Sequence, residues 1–346
     1  MKSSVLSIPQ LSRRFWLLAE VSLIGILAGI IFQVLDEKTF DYRSVLVGFS
    51  TGFSFWFFEL FVLSKWRKRI LTLPLILAIL IKAVLYLLVI YTLINTIGLV
   101  IGYFEGKQLN DFYNSLVDRE QIILYGYILV LYVLFSFHRQ LNLLLGEGIL
   151  IKFLLGKYRK PTKEHRIFMF LDLKSSTSIA ERLGHIRYYS FLNDFFHEIS
   201  APVKATSAEI YQYVGDEIVF TWKTKVGLTN NNCLRLFFKI KDRVVERQQY
   251  YLNKYGAVPA FKAGMHFGEV ITAQIGDIKR EIVYNGDVLN TSARIQEQCN
   301  RVGHEFLISG LLLEELNLGP EYAEEKIQSL QLRGKESLTS LYSITE

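Results

Sequence analysis

Two aspartates stand where a folded chain would bring carboxylates together. Asp172 lies at the end of the apolar run RIFMFLDL (Arg166–Leu173). Asp216 lies in Gly215-Asp216-Glu217, between the β-rich halves of AEIYQYVGDEIVFTW. Shortly after Asp172 comes SSTSIAERLG, in which Ser and Thr residues, Thr177 among them, open a helical pattern. Carboxylate oxygens suit magnesium or manganese, and the N–H groups at a helix start suit phosphate oxygens. Paired carboxylates facing such a helix start point to a divalent metal binding together with a phosphate. The plain alternative is an ordinary strand-end aspartate and an ordinary hairpin aspartate.

The elements that must position these groups follow from hydrophobic periodicity. Arg166–Leu173 is expected as a strand and Ile186 to about Lys204 as a helix. The hairpin around Asp216 follows, then a helix over Leu234–Lys254. Two further strands are expected at Phe261–Phe267 and Val270–Ile275. A short strand follows at Glu281–Tyr284, and then a helix at Asp287–Cys299. The order β-α-β-β-α-β matches a ferredoxin-like α+β domain, an antiparallel sheet with helices. In that order the hairpin neighbours the first strand, so Asp172 and Asp216 meet.

The first half of the chain has a different character. Residues 1–160 hold 17 Lys/Arg and 10 Asp/Glu; residues 161–346 hold 22 and 23, so the basic balance belongs to the first half. Its basic residues flank apolar runs rather than forming a polar face, which argues against nucleic acid as a partner. Phe15–Leu35, Ser44–Ser64, Leu71–Tyr103 and Ile122–Leu145 are each long enough to cross a hydrocarbon core, which takes about 20 helical residues. Membrane lipid is therefore an expected partner of an all-α domain of four transmembrane helices. Lys2, Arg13, Arg14, the run Lys65-Trp66-Arg67-Lys68-Arg69, and the basic residues after the fourth run all lie on one side of these spans. The positive-inside bias makes that side the cytoplasm, and the expected location is a bacterial inner (plasma) membrane. Glu20, Glu59 and Lys82 fall inside the runs, where ionisable groups default to pairing or function. The expected division is a membrane domain over 1–140, a linking helix over 141–162 and a second domain over 163–346. Two cysteines, Cys233 and Cys299, exclude a disulfide scaffold.

Five segments occur in a telling order: FMFLDLKSST, YQYVGDEIVF, AGMHFGEV, NGDVLNTSARIQ and LRGKESLTSLYSI. Together they resemble the catalytic domain of class III nucleotidyl cyclases over roughly residues 164–345. The double-glycine GGDEF or GGEEF signature of diguanylate cyclases is absent. The resemblance implies that Asp172, Asp216 and the backbone carbonyl of Leu173 hold two divalent cations, Mg2+ or Mn2+. It implies that Asn290 orients the ribose and Arg294 stabilises charge on the α-phosphate. Arg333 falls where the family usually has a phosphate-binding lysine, with Lys335 as its neighbour. In this family the metal aspartates and the Asn/Arg pair come from different chains, so a homodimer with two sites is implied.

At the positions that read the base, the chain departs from the family. Gln212 stands where adenylate cyclases usually have Lys and guanylate cyclases Glu. Val283, with Asn285 close by, stands where they have Asp or Thr, and Cys or Ser. Gln212 can donate and accept, and Lys262 is a candidate replacement for the missing lysine. The reading is a membrane-anchored adenylate cyclase acting on a nucleoside triphosphate, ATP favoured. The alternatives are a guanylate or dual-specificity cyclase, and a silent nucleotide-binding membrane sensor.

Overall fold

The computed structural model describes residues 8–36, 42–58, 73–104, 106, 119–146, 149–331 and 338–346. Arg333, Lys335 and Glu59 lie outside these residues, as does the side chain of Glu20. The chain divides into two compact units, Met1–Leu144 and Leu145–Glu346.

The first unit is built from helices α1 (Ile8–Asp36), α2 (Tyr42–Phe57), α3 (Leu75–Phe104) and α4 (Arg119–Leu145). Gly25, Gly48 and Gly52 bring α1 and α2 together, since a Cβ on any of them would strike the backbone of the other helix. Small residues at such a crossing suit helices that associate by packing rather than by the hydrophobic effect. Inside, the rings of Tyr86 and Tyr132 stack at 4.6 Å and the Tyr86 hydroxyl donates to the Thr51 carbonyl at 2.9 Å. Outside, Ile76, Leu80, Val84 and Leu88 form an exposed apolar stripe along α3. An apolar stripe turned outward over an equally apolar interior, with Val21, Phe55, Phe58 and Ile90 buried, is not the pattern of a water-exposed bundle. Only Leu75–Phe104 and Gln121–Leu145 are long and apolar enough to cross a membrane among the described residues. Val21–Val34 and Val45–Phe57 are shorter apolar helices. The expected linking helix is not continuous. Gly146 takes a left-handed φ of 99°, and helix α5 (Ile149–Leu154) is only six residues long.

The second unit runs β1 (Thr162–Leu173), α6 (Ser176–Leu183), α7 (His185–Glu198), α8 (Ser200–Ala205), β2 (Glu209–Val214), β3 (Glu217–Lys223), α9 (Thr224–Leu228), α10 (Asn232–Glu246) and α11 (Gln248–Tyr255). It continues with β4 (Phe261–Ile275), β5 (Glu281–Asn285), α12 (Asp287–Val302), β6 (Phe306–Ser309), α13 (Gly310–Glu315), β7 (Ala323–Gln331) and β8 (Leu338–Thr345). One sheet takes the order β2-β3-β1-β4-β6-β8-β7, with β5 paired to β4. It is mixed rather than antiparallel throughout, because β4 and β6 run parallel. Alternation along β1 sends Ile167, Met169, Leu171 and Leu173 into a core shared with Phe191, Phe195, Phe237 and Tyr251 of the helices. Arg166, Phe168, Phe170 and Asp172 therefore face the other side, where α12 lies.

Three expectations about the elements are corrected here. The helix over 186–204 breaks at Ile199, because Pro202 has no N–H to offer the Glu198 carbonyl. The helix over 234–254 starts earlier, at Asn232, and breaks at Arg247, whose φ is −101° and ψ 7°. The strands at 261–267 and 270–275 are one strand. Gly268 is not a break but a close approach, since a Cβ there would meet the Val288 side chain at 2.8 Å. Gly264 is closer still: a Cβ there would overlap the backbone of Gln296 in α12.

Gly264→Ala must push α12 off the sheet. The expected cost is about 1–3 kcal/mol or more, read as a clear fall in the unfolding temperature of full-length protein. An unchanged unfolding temperature would show that α12 is not held there.

Candidate active site

Asp172 pairs across the sheet with Lys262 of β4, and Leu171 with Ile218 of β3. The two-residue turn Gly215–Asp216 of the β2–β3 hairpin therefore lies just past the end of β1. Gly215 adopts a φ of 64°, the left-handed conformation that glycine takes without strain and that tight hairpins use. Gln296 Nε2 donates to Asp172 Oδ2 at 3.1 Å, and Lys262 Nζ lies 3.4 Å from the same oxygen. Asp216 Oδ2 is enclosed and has no hydrogen-bond partner among the described residues.

The electrostatics show what kind of charge this arrangement suits. Burial, and next the negative charge of Asp216, raise the Asp172 carboxyl above its usual range, against the opposing pull of Lys262 and Gln296. Burial and then Asp172 and Asp216 push Glu217 up to about 7. Two carboxylates that repel each other, one with an orphaned buried oxygen, fit a hard divalent cation. No cluster of three or more His, Cys, Asp or Glu residues is arranged for a metal among the described residues. Further ligands must come from the backbone, such as the Leu173 carbonyl at the strand end, or from a bound molecule. Just beyond, Ser175 enters α6 with a left-handed φ of 55° and no side chain caps the helix. Thr177, in the first turn, is exposed.

Asn290 and Arg294 share one face of α12, and it is the outer one. Val288, Thr291, Ser292, Ile295, Gln296 and Cys299 are the buried positions of that helix. Gln296 is thus on Asp172, while Asn290 is exposed and Arg294 half-buried on the side turned away. Neither the Asn290 nor the Arg294 side chain has a hydrogen bond or ion pair among the described residues. One chain therefore brings Asp172 and Asp216 together and holds Asn290 and Arg294 apart from them.

The base-reading expectations divide. Gln212 is exposed on β2, next to a register shift between Ile210 and Gln212. Val283 pairs with Ala273 and Asn285 with Ile271. No hydrogen bond joins Gln212 to Asn285. The side chain that reaches the neighbourhood of Gln212 is Tyr284, whose ring lies 4.9 Å from that of Tyr211. Alternation puts Val283 on the opposite face of β5 from Tyr284. Lys262, the suggested replacement for a base-reading lysine, sits instead on Asp172. Sequence reasoning missed Gln296, although its phase with Ser292 and Cys299 marks the inner face of α12.

The profile described as "Adenylate and Guanylate cyclase catalytic domain" matches residues 159–345. The chain is 34% identical over 202 residues to Adenylate cyclase 2 of Rhizobium meliloti (strain 1021), covering 58% of this chain and 56% of that protein. It is 23% identical over 184 residues to an adenylate cyclase of Anabaena cylindrica, covering 51% and 36%. The chain spans about half the length of the first relative and less of the second. A solved bacterial light-regulated adenylyl cyclase has the same fold, with a TM-score of 0.53 at 15% identity over 66% of this chain and 67% of that one.

The raised Glu217 carboxyl has a definite sign. Between its ordinary value of 4.5 and about 7, the folded protein keeps a proton that the unfolded chain has lost. Stability of metal-free protein must therefore fall as pH rises through that window. Asp216→Asn removes one source of the repulsion. Thermal unfolding in chelator should show a flatter fall and a higher unfolding temperature at pH 7.5 than the unsubstituted protein. A stability that rises through the window, or that ignores the substitution, contradicts the electrostatic assignment.

Proposed function

The chain belongs to the adenylate and guanylate cyclase catalytic-domain family, and from that premise we propose that it is a membrane-anchored adenylate cyclase converting ATP to cyclic AMP and pyrophosphate. The observation that carries this reading is the pair Asp172 and Asp216, with a buried Asp216 oxygen that no protein donor satisfies. The similarity to Adenylate cyclase 2 of Rhizobium meliloti supports ATP as the substrate. In the reaction the ribose 3′-oxygen forms a bond to the α-phosphorus, the bond to the pyrophosphate oxygen breaks, and the hydroxyl proton passes to solvent.

Asp172, Asp216 and the Leu173 carbonyl would hold two divalent cations, Mg2+ or Mn2+. When bound, these would lower the pKa of the attacking hydroxyl and neutralise the departing phosphates. The chain's own part is positioning and charge stabilisation. Asn290 orients the ribose, and Arg294 meets the charge that grows on the α-phosphate. Thr177 and the uncapped start of α6 would meet phosphate oxygens, and Arg333 and Lys335 would supply positive charge to them. Because Asn290 and Arg294 turn away from Asp172 within one chain, each site takes its metal aspartates from one copy and its Asn/Arg pair from the other. A homodimer then carries two sites. Residues 1–140 anchor it through four spans, 141–162 form the joint, and 163–346 are the catalytic domain on the cytoplasmic side. The outward apolar stripe of the first unit supports the anchoring.

One feature favours a second reading. Gln212 and Asn285 are neutral amides, each able to donate and accept, so they do not discriminate against guanine. The second reading is a guanylate or dual-specificity cyclase.

Full-length protein in nanodiscs, given ATP or GTP with Mn2+ or Mg2+, should yield cyclic AMP by mass spectrometry. Asp172→Ala, Asp216→Ala and Arg294→Ala should each lower turnover by at least about 100-fold while the protein remains folded. Cyclic GMP as the main product would overturn the choice of ATP. Turnover retained in either aspartate variant would overturn the metal assignment.

A further inference from the structure

Arg166 is fully buried in the second unit, yet its guanidinium is fully engaged. Nε donates to Thr221 Oγ1 of β3 at 3.1 Å. One terminal nitrogen donates to Glu164 Oε2 of β1 at 3.1 Å, and the other makes a short ion pair with Glu209 of β2. The guanidinium carbon lies 4.6 Å from the centre of the Tyr284 ring in β5. One planar cation thus joins four strands, a role lysine cannot fill. Glu164 is itself held from the other side, where the Tyr158 hydroxyl donates to its Oε1 at 2.9 Å. Tyr158 precedes β1, is 3% exposed, and its carbonyl accepts from Gln274 N of β4 at 2.9 Å.

Burying an arginine between carboxylates is a poor way to stabilise a fold. The desolvation of the charges offsets most of their attraction, and apolar residues of similar volume do as well or better. The better-attested use of such a cluster is to fix which elements lie together and how. Its ends here are informative. Glu209 lies three residues before Gln212. Tyr284 separates Val283 from Asn285 and packs against Tyr211 at 4.9 Å and Phe168 at 5.4 Å. Burial would raise the Glu164 carboxyl, but the Tyr158 hydroxyl and the Arg166 charge outweigh it and hold it below its usual range. Glu164 is therefore an ionised partner that both groups grip.

We propose that Arg166 is a positioning residue that sets the placement of β2 and β5, the two strands bearing Gln212 and Val283/Asn285, and that Tyr158, through Glu164, ties the segment entering β1 to that placement. A displacement of the segment before β1 thereby reaches the nucleotide-reading strands through one hydrogen bond and one guanidinium. This inference rests on the nucleotide reading above.

The test is a double-substitution cycle in full-length protein. Tyr158→Phe removes only the hydroxyl on Glu164, and Tyr284→Leu removes the ring under Arg166. The two side chains sit at opposite ends of the chain of contacts, and Arg166 itself is left in place to avoid unpaired buried carboxylates. Each single substitution should raise KM for ATP roughly five-fold with kcat within about two-fold. The double should be no worse than roughly the poorer single, because either break disconnects the same path. The Kd of a fluorescent methylanthraniloyl ATP should follow KM. A KM untouched by Tyr158→Phe would overturn the proposal, as would single effects that multiply to roughly 25-fold in the double. Should unsubstituted protein bind no nucleotide, the functional reading fails and the cycle is read from unfolding temperatures instead. There, shifts that sum in the double overturn the connection and shifts that fall short of the sum support it.

Discussion

The site depends on how closely α12 can lie against β4. At Gly264 the backbone of Gln296 occupies the space a Cβ would need, and at Gly268 the Val288 side chain does nearly the same. That contact fixes both the height of the helix over the sheet and its rotation. With the inner face set by Ile295, Gln296 and Cys299, the Gln296 amide reaches Asp172 and the Cys299 thiol reaches the Ala263 carbonyl at 3.3 Å. The same rotation turns Asn290 and Arg294 outward. One van der Waals constraint therefore decides which of these groups lie together within one chain and which turn away.

The second organising fact is a local excess of negative charge. Asp172, Asp216 and Glu217 crowd the end of β1, and Lys262 is the cation beside them. In an apolar setting like charges cannot all ionise without cost. On the proposed function this is the charge surplus that a bound cation would offset, an exchange of stability for function. The contrast with Arg166 is instructive. There two carboxylates and a threonine hydroxyl surround a single guanidinium and each of its three nitrogens finds a partner. At Asp216 an oxygen is left over.

Much of this was legible in the sequence, for identifiable reasons. Asp172 and Asp216 could be brought together because a hairpin following a β-α unit must neighbour the first strand, and the apolar runs marked those strands plainly. Asn290 and Arg294 were placed on one helix face by their spacing alone. What sequence could not supply was rotation and depth. Gln296 and Lys262 are unremarkable residues until α12 and β4 are in register with Asp172. Gly268 looked like a strand end because glycine serves breaks and close approaches alike. Val283 was favoured at the base-reading position by linear alignment, whereas the pleat of β5 turns Tyr284 toward Tyr211. In the first half, hydropathy located helices well. Among the described residues, Leu75–Phe104 and Gln121–Leu145 combine the length and apolarity of a span, while Val21–Val34 and Val45–Phe57 are shorter apolar helices.

The central claim is that each site is shared between two copies, and mixing two inactive proteins tests it most directly. Asp216→Ala spoils the metal side and Arg294→Ala the phosphate side. Co-expressed in equal amounts as full-length chains, they should form mixed dimers in which one site carries both defects and the other carries neither. Random pairing predicts recovery of about a quarter of the unsubstituted activity, from parents that are each silent alone. A mixture as inactive as its parents, with mixed dimers shown to form, would place all four residues in one chain's site and contradict the account.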